Sequence, residues 1–165
     1  MSGNLSGNMS RIVKFLCTAL ACIFLASCAS GEAGYSSDMT VDEIADELLR
    51  DSTVEGGFAE YSDAFLNASF AGTEDIERTV RYSVMSSNID EVGVFRARDE
   101  KHAERLAALC REYLRLMLEE QGAFIASYAP EELPKLENAE VRIVGEFVIY
   151  SIGDVGDAKD AFHLF

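Results

Sequence analysis

Few side chains in this sequence have the type and spacing to do chemistry, and the clearest is Cys28, which closes Leu25-Ala26-Ser27-Cys28. Small residues before a cysteine at the end of a short apolar run form a lipobox. The small side chains fit a narrow peptidase pocket, cleavage falls just before Cys28, and its sulfur carries a diacylglyceryl group. At ~0.8 kcal/mol per buried CH₂, two acyl chains turn reversible membrane binding into stable anchoring. Cys28 is therefore the predicted lipid-attachment residue.

The remaining reactive side chains point elsewhere. Cys17 and Cys22 lie in the apolar run and leave with it, so Cys110 is the one thiol of the mature chain and no internal disulfide is possible. Cys110 falls on the apolar side of a helical pattern with no histidine nearby in sequence, which predicts a buried small hydrophobe rather than a nucleophile. His102 and His163 are the only histidines. No His-x-x-x-His or Cys-x-x-Cys spacing accompanies them, so no metal site is predicted and both read as surface residues. Asp154, Asp157 and Asp160 recur every three residues, whereas a calcium loop needs alternate positions and a later bidentate glutamate. Tyr82, Tyr113, Tyr128 and Tyr150 have the chemistry to line a pocket, but their spacing reads as core. Gly-x-Ser-x-Gly, phosphate-loop and Rossmann patterns are missing. Catalytic residues and cofactors are accordingly predicted as none.

The segments around Cys28 fit an exported protein. Arg11 and Lys14 form a basic flank, and Phe15 to Ser27 is uncharged. That run is too short for the ~20 residues of a spanning helix and suits a secretory signal. Residues 1–27 are the predicted signal peptide, with Met9 an alternative start. Residues 28–39 are the lipidated cysteine and a small, polar tether, reaching about 35 Å when fully extended. Loss of the signal leaves 138 of the 165 residues, and two of the 14 basic residues go with it while all 29 acidic ones stay. The formal charge moves from −15 to −17. So acidic a domain is repelled by nucleic acid and by anionic headgroups, which leaves the lipid to hold it.

Residues 40–165 read as a single α+β domain. Thr40-Val41-Asp42-Glu43 is a capping box, and Ile44, Leu48 and Leu49 continue it as a helix to about Asp51. Glu55-Gly56-Gly57 breaks it, and Ala59 to Ala68 carries a second, weaker helical pattern with Tyr61, Phe65 and Leu66. The period then changes to two. Val80, Tyr82 and Val84 form a half-buried strand, Ser86-Ser87-Asn88 a turn, and Val92 to Ala97 the returning strand. Asp99 caps the longest helix, which runs to about Ser127 with Leu106, Cys110, Tyr113, Met117 and Phe124 on one side. Pro130 suits the first position of a short helix that Pro134 interrupts. Val141 to Val144 and Phe147 to Ile152, split by Gly145-Glu146, form a second hairpin whose last strand is apolar on both faces. Asp157 caps a short final helix. The predicted fold is an antiparallel sheet of about four strands, in two hairpins, with a long helix and shorter helices on one face.

Together with the lipobox, Glu91-Val92-Gly93-Val94-Phe95-Arg96-Ala97-Arg98-Asp99, Tyr128-Ala129-Pro130-Glu131-Glu132 and Lys135-Leu136-Glu137-Asn138-Ala139 resemble a bacterial lipoprotein family. Its C-terminal domain is a domain of unknown function. The resemblance runs from about Val41 to Phe165, with Pro134 a departure. It implies export and lipidation and supplies no catalytic residue.

These readings predict a non-enzymatic lipoprotein on the extracytoplasmic face of the cell membrane, anchored through Cys28, that binds a protein or another envelope component and no nucleic acid. A small-ligand or peptide binder is the alternative, and would need a cavity lined by the tyrosines. An envelope hydrolase using carboxylates that converge only in three dimensions is a further one.

Overall fold

Thr40 opens the first helix as its capping box predicts. Its hydroxyl accepts from the Glu43 amide at 3.2 Å, and the Glu43 carboxylate accepts from the Thr40 amide at 2.8 Å. This helix, α1, spans Val41–Leu49. The computed structural model describes residues 38–153 and Val155. The predicted signal, Cys28 with residues 29–37 of the tether, and the helix expected after Asp157 lie outside the described residues.

Beyond Gly56 and Gly57, both at positive φ, the weak helical pattern over 59–68 resolves into two elements. β1 (Phe58–Glu60) pairs with a later strand, and α2 (Asp63–Ser69) begins where the Ser62 hydroxyl accepts from the Phe65 amide at 3.4 Å. A strand of three residues is too short to show alternation, which is why the sequence pattern conceals it.

β2 (Arg78–Ser83) and β3 (Glu91–Arg96) form the first hairpin. α3 (Glu100–Tyr128) follows, capped by Asp99, whose carboxylate accepts from the His102 amide at 2.7 Å. α4 spans Leu133–Glu137. Here Pro134, not Pro130, occupies the first turn; it starts the helix rather than interrupting it, because early helical positions need no amide donor. β4 (Glu140–Val144) and β5 (Phe147–Ile152) make the second hairpin through Gly145, at φ 58°. A two-residue connection demands a positive φ of this kind.

The fold is α+β, with a five-strand antiparallel sheet in the order β1-β2-β3-β5-β4. The fifth strand, β1, adds to the four read from sequence. β3 lies at the centre, hydrogen-bonded to β2 on one side and β5 on the other.

Helices cover both faces of the sheet rather than one. Val92 and Val94 of β3 and Phe147 and Ile149 of β5 pack with Ile44, Ala45 and Leu48 of α1. Phe95, Val148, Tyr150 and Ile152 point the other way, against Leu106, Ala107, Cys110 and Leu114 of α3. Both alternating sets are apolar, so each needs its own covering layer. The shorter α1 covers one face and α3 the other. Arg81 reinforces the α1 face, pairing with Asp42 at 2.7 Å and Glu60 at 3.1 Å.

Candidate ligand-binding site

Alternation along β3 puts Glu91, Gly93 and Phe95 on the face that α3 covers. Glu91 is therefore a carboxyl placed in phase with core residues, and it is only 3% exposed. Its surroundings are phenolic. Oε1 accepts from the Tyr150 hydroxyl at 2.6 Å and from the Tyr113 hydroxyl at 3.0 Å. The Tyr61 hydroxyl interacts with the same carboxyl, and Tyr82 stands opposite Glu91 in the β2–β3 register.

Each tyrosine arrives from a different element. Tyr150 is paired with Gly93 across the β3–β5 ladder, and its ring lies over the glycine. A Cβ on residue 93 would fall 2.1 Å from Tyr150 Cε1. Only glycine leaves room for that ring, which carries the hydroxyl towards Glu91. Tyr113 comes from the middle of α3, its ring 5.7 Å from that of Tyr150 and 4.7 Å from Phe70. Tyr61, between β1 and α2, stacks on Phe65 at 3.8 Å and on Tyr82 at 4.2 Å.

A cavity of about 500 Å³ opens beside this cluster. Tyr61, Phe65, Tyr82, Glu91, Tyr113 and Met117 line its inner part, with Met85, Leu116, Glu120 and Gln121 further along the wall. Its volume is within the range of small-molecule pockets, as is its mixture of apolar wall and few polar groups.

Burial raises the Glu91 carboxyl above the ordinary carboxylate range, and the hydrogen bonds from Tyr150, Tyr113 and Tyr61 offset part of that rise. Desolvation disfavours the charged form, while donors aimed at it favour it. The same burial, with the Glu91 charge, pushes the Tyr61, Tyr113 and Tyr150 phenols up. Two donors take both lone pairs of Oε1. When Glu91 is neutral, its proton therefore sits on Oε2.

Asp90 also lines the cavity but has a different environment. Its Oδ2 meets Lys135 Nζ at 2.8 Å, and the same ammonium pairs with Glu132 at 2.9 Å. Glu132 in turn accepts from the Ile89 amide at 3.0 Å. The three side chains fasten the segment entering β3 to the turn before α4.

Of the tyrosines singled out in sequence, Tyr82, Tyr113 and Tyr150 converge here. Tyr128 does not: it is 77% exposed at the end of α3, stacked on Phe124 with ring centres 4.5 Å apart. Phe124, expected on the apolar side, is itself 63% exposed, because the buried stripe of α3 runs through Leu114, Gly122 and Ile125 instead. Cys110 is buried as predicted, and burial pushes its thiol up to about 12. His102 is buried rather than on the surface; its Nδ1 accepts from the Arg98 amide at 3.1 Å and helps close the start of α3. Among the described residues no group of three or more His, Cys, Asp or Glu is placed to hold a metal ion. Cys28, His163, Asp154, Asp157 and Asp160 lie outside the described residues.

Glu91 and Tyr61 are the site residues that sequence reasoning missed. One signal was available for Glu91: it shares the parity of Phe95, an acid in step with the buried side of a strand.

Fold and cavity together define an α+β domain with a tyrosine-ringed glutamate between its sheet and its long helix. Residues 72–153 match the family model described as Domain of unknown function (DUF4358). The matched segment spans β2 to β5 and includes Glu91, Gly93, Tyr113 and Tyr150, but not α1, β1, Tyr61 or Phe65. It is narrower than the resemblance over Val41 to Phe165. No curated protein and no solved structure matches the chain.

Proposed function

We propose that this domain binds a small ligand in the cavity beside Glu91, and that it binds rather than catalyses. The observation carrying this reading is a carboxyl buried at an open cavity of about 500 Å³ and held by tyrosines from several elements. Burying an ionisable group costs free energy. Perturbed titratable groups in clefts concentrate at functional sites for that reason. Of the roles open from sequence, the tyrosine-lined cavity favours the small-ligand binder over a protein-docking domain. A carboxylate hydrolase would need a second carboxyl held against Glu91; the adjacent Asp90 is engaged by Lys135, and Glu120 on the same cavity is an exposed residue of α3.

We further propose that the domain works at the outer face of the cell membrane, held by lipid on Cys28. The short apolar run, the basic flank and the lipobox support this. Replacing Cys28 with Ser and fractionating cells tests it: uncleaved or released protein supports lipidation, and normal processing with unchanged membrane partition refutes it.

The test of binding is a thermal-shift screen of the purified chain against a library of small metabolites, repeated on Met117→Trp, in which the indole occupies the cavity. Ligands that raise the Tm of the natural chain by several degrees and leave the variant unmoved support the reading. A library that moves neither protein, or both equally, refutes it.

A further inference from the structure

We propose, resting on the ligand-binding reading above, that the ligand is an organic cation whose ammonium sits against Glu91 Oε2 and the rings of Tyr82 and Tyr113. Charge complementarity is the first argument. The charged side chains lining the cavity are Asp90, Glu91 and Glu120, and among the described residues none of the lining side chains is Lys, Arg or His. An anion would meet carboxyl groups there and no cation. A ring face carries negative potential, so stacked tyrosines attract ammonium groups, and more strongly where water is excluded.

The carboxyl geometry is the second. Oε1 is saturated by Tyr113 and Tyr150, which leaves Oε2, towards which only the Tyr61 hydroxyl is directed, as the oxygen with capacity to meet a ligand. An ammonium placed there would replace the proton as the positive partner of that oxygen. Met85, Leu116 and Met117 provide an apolar wall, so the cation best matched carries an apolar body behind its charged head. The net charge of −15 draws cations towards the protein from a distance.

Proton release follows. Glu91 faces Tyr82 from β2, Tyr61 from the β1–α2 connection, Tyr113 from α3 and Tyr150 from β5. Cys110 lies behind Tyr150, Asp90 with its partner Lys135 lies alongside, and Glu120 lines the same cavity. Wherever the carboxyl is protonated, it gives up its proton to solvent as the cation enters, so affinity rises with pH through the raised titration of Glu91.

The experiment is isothermal titration calorimetry of the purified chain with probes matched in size and differing in charge. Choline and benzyltrimethylammonium are the cations, 3,3-dimethyl-1-butanol and benzyl alcohol the neutral probes, and butyrate and benzoate the anions. The cations should bind at least tenfold more tightly than the neutral probes, with heats that vary with the ionisation enthalpy of the buffer. Glu91→Gln should weaken cation binding tenfold or more and leave neutral binding unchanged. Tyr82→Leu, at a half-buried position, should weaken it about three- to tenfold, consistent with the loss of one cation–π contact of roughly 0.5–1.5 kcal/mol. Cations that bind no better than neutral probes, or that ignore both substitutions, overturn the assignment. If neutral or anionic probes bind best and Met117→Trp abolishes their binding, the cation assignment falls while the pocket reading stands. If no probe of any charge binds and the metabolite screen is also empty, both fall.

Discussion

The ring of Tyr150 occupies the space that a side chain at Gly93 would fill, with Cε1 2.1 Å from the ideal Cβ position. The two residues are register partners on adjacent strands, and their fit brings the phenol hydroxyl to 2.6 Å from Glu91. A missing side chain on one strand thus sets the polar chemistry of the other.

Gly93→Ala should destabilise the domain by about 1–3 kcal/mol or more, because the added methyl meets a fully buried ring that cannot step aside. Urea unfolding measures this. Combining it with Tyr150→Leu should cost less than the sum of the two single changes, since the clash disappears with the ring.

Tyr150→Phe and Tyr113→Phe should differ in cost. The Tyr150 bond is the shorter and is buried, so its loss should cost about 1–3 kcal/mol by leaving the Glu91 carboxyl short of a donor. The Tyr113 bond, at 3.0 Å and only partly buried, should cost about 0.5–1.5 kcal/mol. Denaturation midpoints at neutral pH order the two.

The raised carboxyl of Glu91 predicts a sign for pH dependence. The folded state holds this proton more tightly than the unfolded chain, in which a glutamate titrates near ~4.3. The stabilisation is fully present below that value and is lost as pH rises through the folded-state titration, at up to about 1.36 kcal/mol per pH unit. Glu91→Gln keeps the shape and removes the titration. Its stability relative to the natural chain should therefore improve steadily from about pH 4 upward, and a difference that stays constant between pH 4.5 and 8 would falsify the assignment.

Thr40→Ala removes half of the capping box and should lower stability by about 1 kcal/mol, with a matching fall in Tm. The loss concerns the α1 face of the sheet. Ligand binding beside Glu91 should survive it, because α1 packs on the opposite side.

Cys110 should resist alkylation by iodoacetamide at pH 8 in the folded protein, since its thiol is buried and pushed up to about 12. It should react readily in guanidinium. Peptide mapping by mass spectrometry follows this cysteine separately from the others.

Local signals were legible and distant ones were not. The Thr40 box, the Asp99 cap and the Gly145-Glu146 turn each involve residues a few positions apart, so their chemistry is visible in a short window. The apolar alternation of Phe147 to Ile152 announced a strand buried on both faces, yet not which helix would take the second face. β1 escaped because three residues hold too little pattern. The candidate site escaped for a different reason: Tyr61, Tyr113 and Tyr150 are 22 to 59 positions from Glu91 in one direction or the other, and only strand register and the docking of α3 unite them. Tyr128 misled because it is the last residue of α3, past Ile125, where the buried stripe of that helix ends.

The central position of β3 has a consequence for assembly. Its pairing with β2 closes a short loop, whereas its pairing with β5 must wait for the chain carrying all of α3 to return, and longer loops close at greater entropic cost. Glu91 loses its water only when that second pairing brings Tyr150 over Gly93. Neither hairpin alone contains a binding site. A ligand held there stabilises the completed sheet and no partial form of it, so occupancy would protect the chain from remaining half-assembled.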